Sequence, residues 1–133
     1  MRVILDTNVF VSGIFWSGPP AKILDAWEFG KLNLVLTSDI FEEYKEVGEK
    51  LNKKFPRVDI QSILDLVIFH GEFCTSMKLP RPVSNDPDDD KFLACALVSR
   101  ANIIISGDKD LLDVSGYENI EVIKPGPFVK KYL

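Results

Sequence analysis

Short apolar runs that alternate with longer helical segments are the feature that most constrains this chain. Val3–Leu5, Leu32–Leu36 and Ile103–Ile105 are almost free of polar residues, which is typical of strands buried on both faces. Segments with helical periodicity or helix-start signals separate these runs. The alternation predicts an α/β domain in which a central, mostly parallel sheet is flanked by helices and joined by right-handed crossovers.

Local signals predict the remaining elements of one domain that spans residues 1–133. We predict helices over Ala21–Phe29, from Ser38 to about Leu51, over Ile60–Ile68, from Asp86-Pro87 to about Arg100 and over Pro125–Tyr132, and further strands over Phe73–Met77 and Ile120–Ile123. Asp86 is expected to cap its helix, with Pro87 at the first helical position. The segment Val9–Gly18 is mixed in composition and is not assigned to an element.

The charge of the chain is unevenly distributed. The net charge is −4, from 16 basic and 20 acidic residues, and four of the acids are Asp86, Asp88, Asp89 and Asp90. Without these four, the basic and acidic residues would balance, so the excess of negative charge is local. A local excess indicates either a solvated loop or a cation site. The net charge therefore does not decide whether the partner is a nucleic acid.

Nothing in the sequence predicts a membrane or an oxidising compartment. No apolar stretch reaches the length of a membrane span, and Met1-Arg2-Val3 leads directly into a strand, so we expect no signal peptide. Cys74 and Cys95 lack metal or redox spacing, and we interpret them as small core residues. A cytoplasmic protein is the expectation.

Two acids follow buried strands. Asp6 comes directly after Val3–Leu5, and Asp108 follows Ile103–Ile105 by three residues. Because the carboxyl ends of parallel strands meet at one edge of a sheet, where α/β proteins bind ligands, both acids are candidate site residues. A buried carboxylate needs a partner. The alternative is that Asp6 and Asn8 merely form an Asx-type turn.

Helical geometry sorts the acids at the start of the helix that follows Asp86. Asp89 shares a stripe with Phe92, Leu93 and Ala96, so it is expected at the end of the face that packs on the sheet. Alternatively, these acids favour the positive end of the helix, each by roughly 0.3–1 kcal/mol. Two acids would meet that need, and four exceed it.

The same sorting separates three glutamates of the helix that starts near Ser38. Glu43 lies at the flank of the apolar face and could reach over the edge of the sheet. Glu42 and Glu46 lie nearly opposite that face and are expected in water.

Four carboxylates at one edge would repel one another unless a cation joined them. Hard oxygen ligands favour Mg²⁺ or Mn²⁺, and no cluster of His or Cys suggests zinc; the single histidine, His70, is expected at a helix end. Such a site commonly activates water for attack on a phosphodiester.

Other functions also use acids at this position. A phosphatase with Asp6 as the nucleophile would prefer a second acid where Asn8 stands. A phospho-acceptor or metal-binding regulatory module is a non-enzymatic alternative.

Four short motifs occur in an order that resembles the PIN-domain family, in particular the toxins of toxin–antitoxin modules that are related to VapC-like ribonucleases. They are Leu5-Asp6-Thr7-Asn8-Val9, Ser38 through Glu43-Tyr44, Asp86-Pro87-Asp88-Asp89-Asp90-Lys91-Phe92-Leu93, and Ser106-Gly107-Asp108-Lys109-Asp110-Leu111-Leu112. Each motif is weak by itself. Four in order, spanning nearly the whole chain, are fairly specific.

The resemblance implies metal-dependent cleavage of single-stranded RNA at an acidic pocket, with Mg²⁺ or Mn²⁺ as the cofactor. The catalytic and metal-binding acids of the family fall on Asp6, Glu43, Asp89 and Asp108. Its supporting polar positions fall on Asn8, Ser106, Asp110 and Asp86, the last also a helix cap. The resemblance also implies a homodimer and an antitoxin partner. An RNA-processing nuclease without an antitoxin is the alternative within the same chemistry.

An RNA substrate requires basic or aromatic side chains near the acids. The candidates are Lys45, Lys50, Lys53, Lys54 and Arg57 beyond Glu43, Lys91 and Lys109 beside the acids, and Phe15 and Trp16 for stacking on a base. The alternative is a solvated helix face for the lysines, and a core or dimer contact for the two aromatic residues.

Overall fold

The computed structural model describes residues 1–133 as an α/β domain around one five-stranded sheet. Its strands are β1 (Arg2–Leu5), β2 (Asn33–Thr37), β3 (Glu72–Cys74), β4 (Ile103–Ile105) and β5 (Glu121–Ile123). They lie in the order β3-β2-β1-β4-β5, and all four pairings are parallel. The predicted class, a mostly parallel sheet flanked by helices, is confirmed.

Seven helices connect or follow the strands. They are α1 (Thr7–Phe15), α2 (Pro19–Glu28), α3 (Ser38–Lys54), α4 (Ile60–His70), α5 (Asp90–Ser99), α6 (Lys109–Leu112) and α7 (Pro125–Tyr132), with 3₁₀ turns at Pro87–Asp89 and Tyr117–Asn119. His70 is the last residue of α4, as predicted. None of these helices combines the length and the apolar character that a membrane crossing requires.

The core forms around β1, the middle strand. Ile4 and Leu5 are at most 1 % exposed, and 31 buried apolar residues form one continuous cluster. Phe10 of α1 stacks on Tyr44 of α3, with ring centroids 4.1 Å apart and planes inclined by 7°. The Tyr44 hydroxyl donates a hydrogen bond to the Leu5 carbonyl at 2.5 Å. These contacts fix α1 and α3 against the carboxyl end of β1.

The strand order creates a crevice at the carboxyl edge of the sheet. The chain proceeds from β1 to β2 and β3 on one side, then crosses through α5 to β4 and β5 on the other side. The order therefore reverses between β1 and β4, and the carboxyl ends of strands at such a reversal are where open α/β sheets bind ligands. The Asp6 amide donates to the Ile105 carbonyl at 3.0 Å and ties the two strand ends together.

Several segments differ from the prediction, among them helix α6, which no sequence signal predicts, and helix α2, which begins at Pro19 and not at Ala21. The third strand ends at Cys74 rather than Met77, because Cys74 pairs with Thr37, the last residue of β2, and no neighbouring strand continues. The unassigned segment after Asp6 is helix α1. A Cβ at Gly13 would lie 2.7 Å from both Leu24 and the Pro20 carbonyl, so this glycine permits close packing of α1 on α2.

Helix α3 begins at Ser38, as predicted, whereas its end and the beginning of α5 differ from the prediction. The N-cap of α3 is Thr37, whose hydroxyl donates to the Asp39 carboxylate instead of capping the helix. Asp86 does act as a cap, since its Oδ1 accepts from the Asp88 amide at 3.0 Å, but it caps a 3₁₀ turn and α5 begins only at Asp90. Helix α3 also runs to Lys54, three residues beyond the predicted end.

The two cysteines lie in the interior, where the sequence places them. Cys95 of α5 is 1 % exposed and Cys74 is half-buried, and neither is in a disulfide. Their sulfur atoms lie 3.9 Å apart.

Candidate metal centre

Asp6 lies at the carboxyl end of β1 and is 5 % exposed. The Ser106 hydroxyl donates to its Oδ2 at 2.6 Å. Burial raises the pKa of Asp6, and the negative charges of Asp108 and Glu43 add to the rise, although the bond from Ser106 opposes it. Asp6 is therefore held by one hydroxyl in a negatively charged environment.

Ser106 connects Asp6 to Asp108. It directly follows β4, is fully buried, and its oxygen accepts from the Asp108 amide at 2.9 Å while its hydroxyl binds Asp6. Asp108 in turn caps α6, accepting from the Asp110 amide at 3.1 Å. The loop between β4 and α6 therefore fixes Asp108 beside the end of β1.

Asp89 enters the same region from the start of α5. It is 8 % exposed, and its Oδ2 is buried without a hydrogen-bond partner. Burial and a hydrogen bond with the Asp108 carboxyl group raise the pKa of Asp89 to about 8, and the charges of Asp108, Asp6 and Asp86 contribute. A buried carboxylate oxygen without a hydrogen-bond partner is costly, so Oδ2 marks a place where a proton or a cation belongs.

Glu43 lies close to Asp6 but has partners of its own. The Thr7 hydroxyl donates to its Oε1, and the Lys91 ammonium pairs with its Oε2. The Glu43 and Lys91 side chains are 30 % and 21 % exposed. Glu42 and Glu46 are exposed, as helical geometry predicted.

Asp86 and Asp110, expected only as supporting residues, approach Asp89 closely. Oxygen atoms of these three carboxylates lie within 4.8 Å of one another. Asp89 therefore belongs to two groupings, one with Asp6 and Asp108 and one with Asp86 and Asp110.

Most of the predicted RNA-binding residues lie on the surface. Lys45, Lys53, Lys54 and Lys109 are exposed, whereas Lys91 is tied to Glu43. Trp16 is 49 % exposed and packs against Phe15 and Phe55. A groove of about 400 Å³ between α1 and α3 is lined by Asn8, Val11, Ser12, Trp16, Val47, Lys50, Leu51 and Lys54. Asn8 thus lines this groove.

Sequence reasoning missed two features of the site. The first is that the Thr7 hydroxyl binds Glu43. The signal that could have indicated a role for Thr7 is its position between Asp6 and Asn8 in the first motif. The pairing of Lys91 with Glu43 joins residues 48 positions apart, and no local pattern announces such a contact.

The residues present fit a divalent cation. All the converging ligands are carboxylate oxygens, the donors that Mg²⁺ and Mn²⁺ prefer. The unpartnered Oδ2 of Asp89 gives the cation a specific reason to bind, because it would satisfy that oxygen and reduce the repulsion among the aspartates.

Comparison with known proteins identifies the family. The profile of the PIN domain family matches residues 2–110, so this chain belongs to that family. PIN domains are generally nucleases and typically use a divalent metal. An uncharacterized protein of Methanocaldococcus jannaschii is 34 % identical over 122 residues, which cover 86 % of this chain and 75 % of that protein. No solved structure matches the chain.

Proposed function

We propose that this protein is a metal-dependent endoribonuclease that cleaves single-stranded RNA at the carboxyl edge of its sheet. The observation that carries the proposal is the buried, unpartnered Oδ2 of Asp89 beside two further aspartates, Asp6 and Asp108. Carboxyl groups from three separate elements converge there, and no basic side chain forms an ion pair with any of them.

Asp6, Asp89 and Asp108, with Glu43 at the margin, would hold Mg²⁺ or Mn²⁺. When bound, the ion supplies an activated water and stabilises the leaving oxygen of the phosphodiester. The chain's own residues prepare this site. Ser106 orients Asp6, and Asp89 would give up its proton in order to hold a cation.

The groove between α1 and α3 is the proposed path of the RNA. It combines the partly exposed Trp16 ring with the exposed Lys50 and Lys54. Aromatic rings stack on unpaired bases, and lysines bind the phosphate backbone, which together suit a single strand without requiring a particular sequence. Lys45, Lys53 and Lys109 would add general attraction for the backbone.

The biological role is proposed on the resemblance of the motifs. We place the protein in the cytoplasm as the toxin of a toxin–antitoxin pair, silenced by an antitoxin that reaches the acids; an RNA-processing nuclease without an antitoxin is the alternative. A homodimer is supported by apolar side chains exposed near one sheet edge, Ile68 and Phe69 of α4 and Phe73 of β3.

A cleavage assay tests the reaction. Mixed single-stranded RNA is incubated with wild type, Asp6→Asn or the matched control Glu42→Gln, in Mg²⁺, Mn²⁺ or EDTA. We expect cleavage by wild type and the control only with metal, and none by Asp6→Asn. Failure of wild type to cleave in either metal, with binding of the ion confirmed by calorimetry, would favour a regulatory metal-binding module instead.

A further inference from the structure

Lys91 neutralises one of the four predicted acids within the protein itself. It is the second residue of α5, and its ammonium pairs with Oε2 of Glu43. Because Thr7 occupies Oε1, both oxygens of Glu43 already have partners. The pair is partly shielded from water, which strengthens the attraction relative to a fully exposed pair.

The other acids of the site lack such a partner. No ion pair involves Asp6, Asp89 or Asp108. Lys109 follows Asp108 directly in the sequence, yet it is exposed and forms no ion pair. The chain therefore carries two lysines next to its acids, and only Lys91 is fixed against a carboxylate.

We propose that Lys91 is a positioning residue that serves as a built-in counter-cation for Glu43 and competes with the divalent ion for it. The inference rests on the proposed metal centre. In the metal-free protein, Lys91 and Thr7 hold the Glu43 carboxylate in place beside Asp6. A divalent ion that binds Glu43 must replace the Lys91 ammonium or lie close to it. Lys91 therefore weakens metal binding.

Calorimetric titration of Mn²⁺ into the full chain tests the competition. Lys91→Met leaves Glu43 without a counter-charge near Asp6, so we expect Mn²⁺ to bind roughly tenfold more tightly than to wild type. Lys91→Arg keeps the pair and is expected to bind like wild type. Lys109→Met removes a neighbouring, exposed charge and is expected to change affinity by less than about twofold.

Two further variants separate the loss of the Lys91 charge from poor folding and from effects that bypass Glu43. Lys91→Gln removes the charge with a polar side chain, and the same tightening is expected even if Lys91→Met folds poorly. In a Glu43→Gln background, Lys91→Met should change the affinity no more than Lys109→Met does. Equal effects of Lys91 and Lys109 substitutions in the wild-type background would overturn the inference while leaving the metal centre intact. Absence of Mn²⁺ binding by wild type would overturn the metal centre, and this inference with it.

Discussion

Acids at the two edges of the sheet lie in opposite electrostatic environments. At the amino edge, Glu72 of β3 receives two hydrogen bonds from the Arg2 guanidinium of β1, and this pairing lowers its pKa. At the carboxyl edge, Asp89 has a buried oxygen without a partner, and its pKa is raised to about 8. The Glu72 carboxylate is paired with a guanidinium of the same chain, whereas the Asp89 carboxyl group needs a proton or a cation from solution. A missing partner, rather than an acid as such, therefore distinguishes the edge at which we propose the metal centre.

We expect the largest effect on cleavage and metal binding from replacement of Asp89. Asp89→Asn removes a carboxylate that would bind the cation, so we expect RNA cleavage and Mn²⁺ affinity to fall by about 100-fold or more. The metal-free protein should gain stability at neutral pH, because folding no longer requires this buried group to take up a proton. Glu72→Gln is the matched control and is expected to cleave like wild type. Comparable losses in both variants would show that the two edges do not differ in function.

The raised pKa of Asp89 predicts that the stability of the metal-free protein depends on pH. Asp89 has a pKa of about 8 in the folded state against a usual 3.8, so between these values the folded state holds a proton that the unfolded state has lost. Stability of the metal-free protein should therefore fall as pH rises from about 4 to 8, by at most about 1.4 kcal/mol per pH unit from this group. The raised pKa of Asp6 acts in the same direction.

Urea unfolding at pH 5.5 and 7.5 without metal measures this effect. The loss of stability on going to pH 7.5 should be clearly smaller in Asp89→Asn than in wild type. A wild type that is equally stable at both values would mean that Asp89 is not desolvated in the folded protein.

Ser106 tests whether the carboxyl edge is held by hydrogen bonds as well as by repulsion. Ser106→Ala removes the donor to Asp6 and the acceptor for the Asp108 amide, so we expect a loss of roughly 1.5–3 kcal/mol in stability and about tenfold in cleavage. Ser99→Ala is the control. Its hydroxyl accepts from the Ala101 amide at 3.1 Å just before β4, and its loss should leave cleavage unchanged.

The smallest effect is expected at the amino edge. The Arg2 and Glu72 side chains are 34 % and 46 % exposed, and exposed ion pairs contribute little. Glu72→Gln should cost less than about 0.5–1 kcal/mol at neutral pH. Because pairing lowers the pKa of Glu72, its contribution is present above the usual value of 4.5 and disappears as the pH falls below it. A cost above 2 kcal/mol in urea unfolding would contradict this view.

The sequence predicts the class of fold and the convergence of acids better than it predicts their partners. The apolar runs, the two strand-ending acids and the helical stripe that contains Asp89 are local patterns, and in the structure Asp6, Asp89 and Asp108 lie near one another. Helical geometry adds Glu43 to the same set, yet its oxygens are taken by Thr7 and Lys91. Partners that come from distant segments depend on side-chain packing, which periodicity does not encode.

Helix α1 illustrates the same limit within the fold. Its nine residues are apolar over much of their length and contain Gly13, a residue that disfavours helices in isolation. Tertiary packing overrides that preference, because the missing side chain lets α1 approach α2. The low helix propensity of Gly13 therefore argues against a helix that the folded protein does form.

Proton release on Mn²⁺ binding tests whether Asp89 holds a proton that the cation replaces. Calorimetric titrations at pH 6.5 in two buffers with different ionisation enthalpies give the number of protons released for each ion bound. Because Asp89 holds a proton at this pH, we predict close to one proton released by wild type and by Glu72→Gln, and almost none by Asp89→Asn. Mn²⁺ binding without proton release, or no binding at all, would contradict the account.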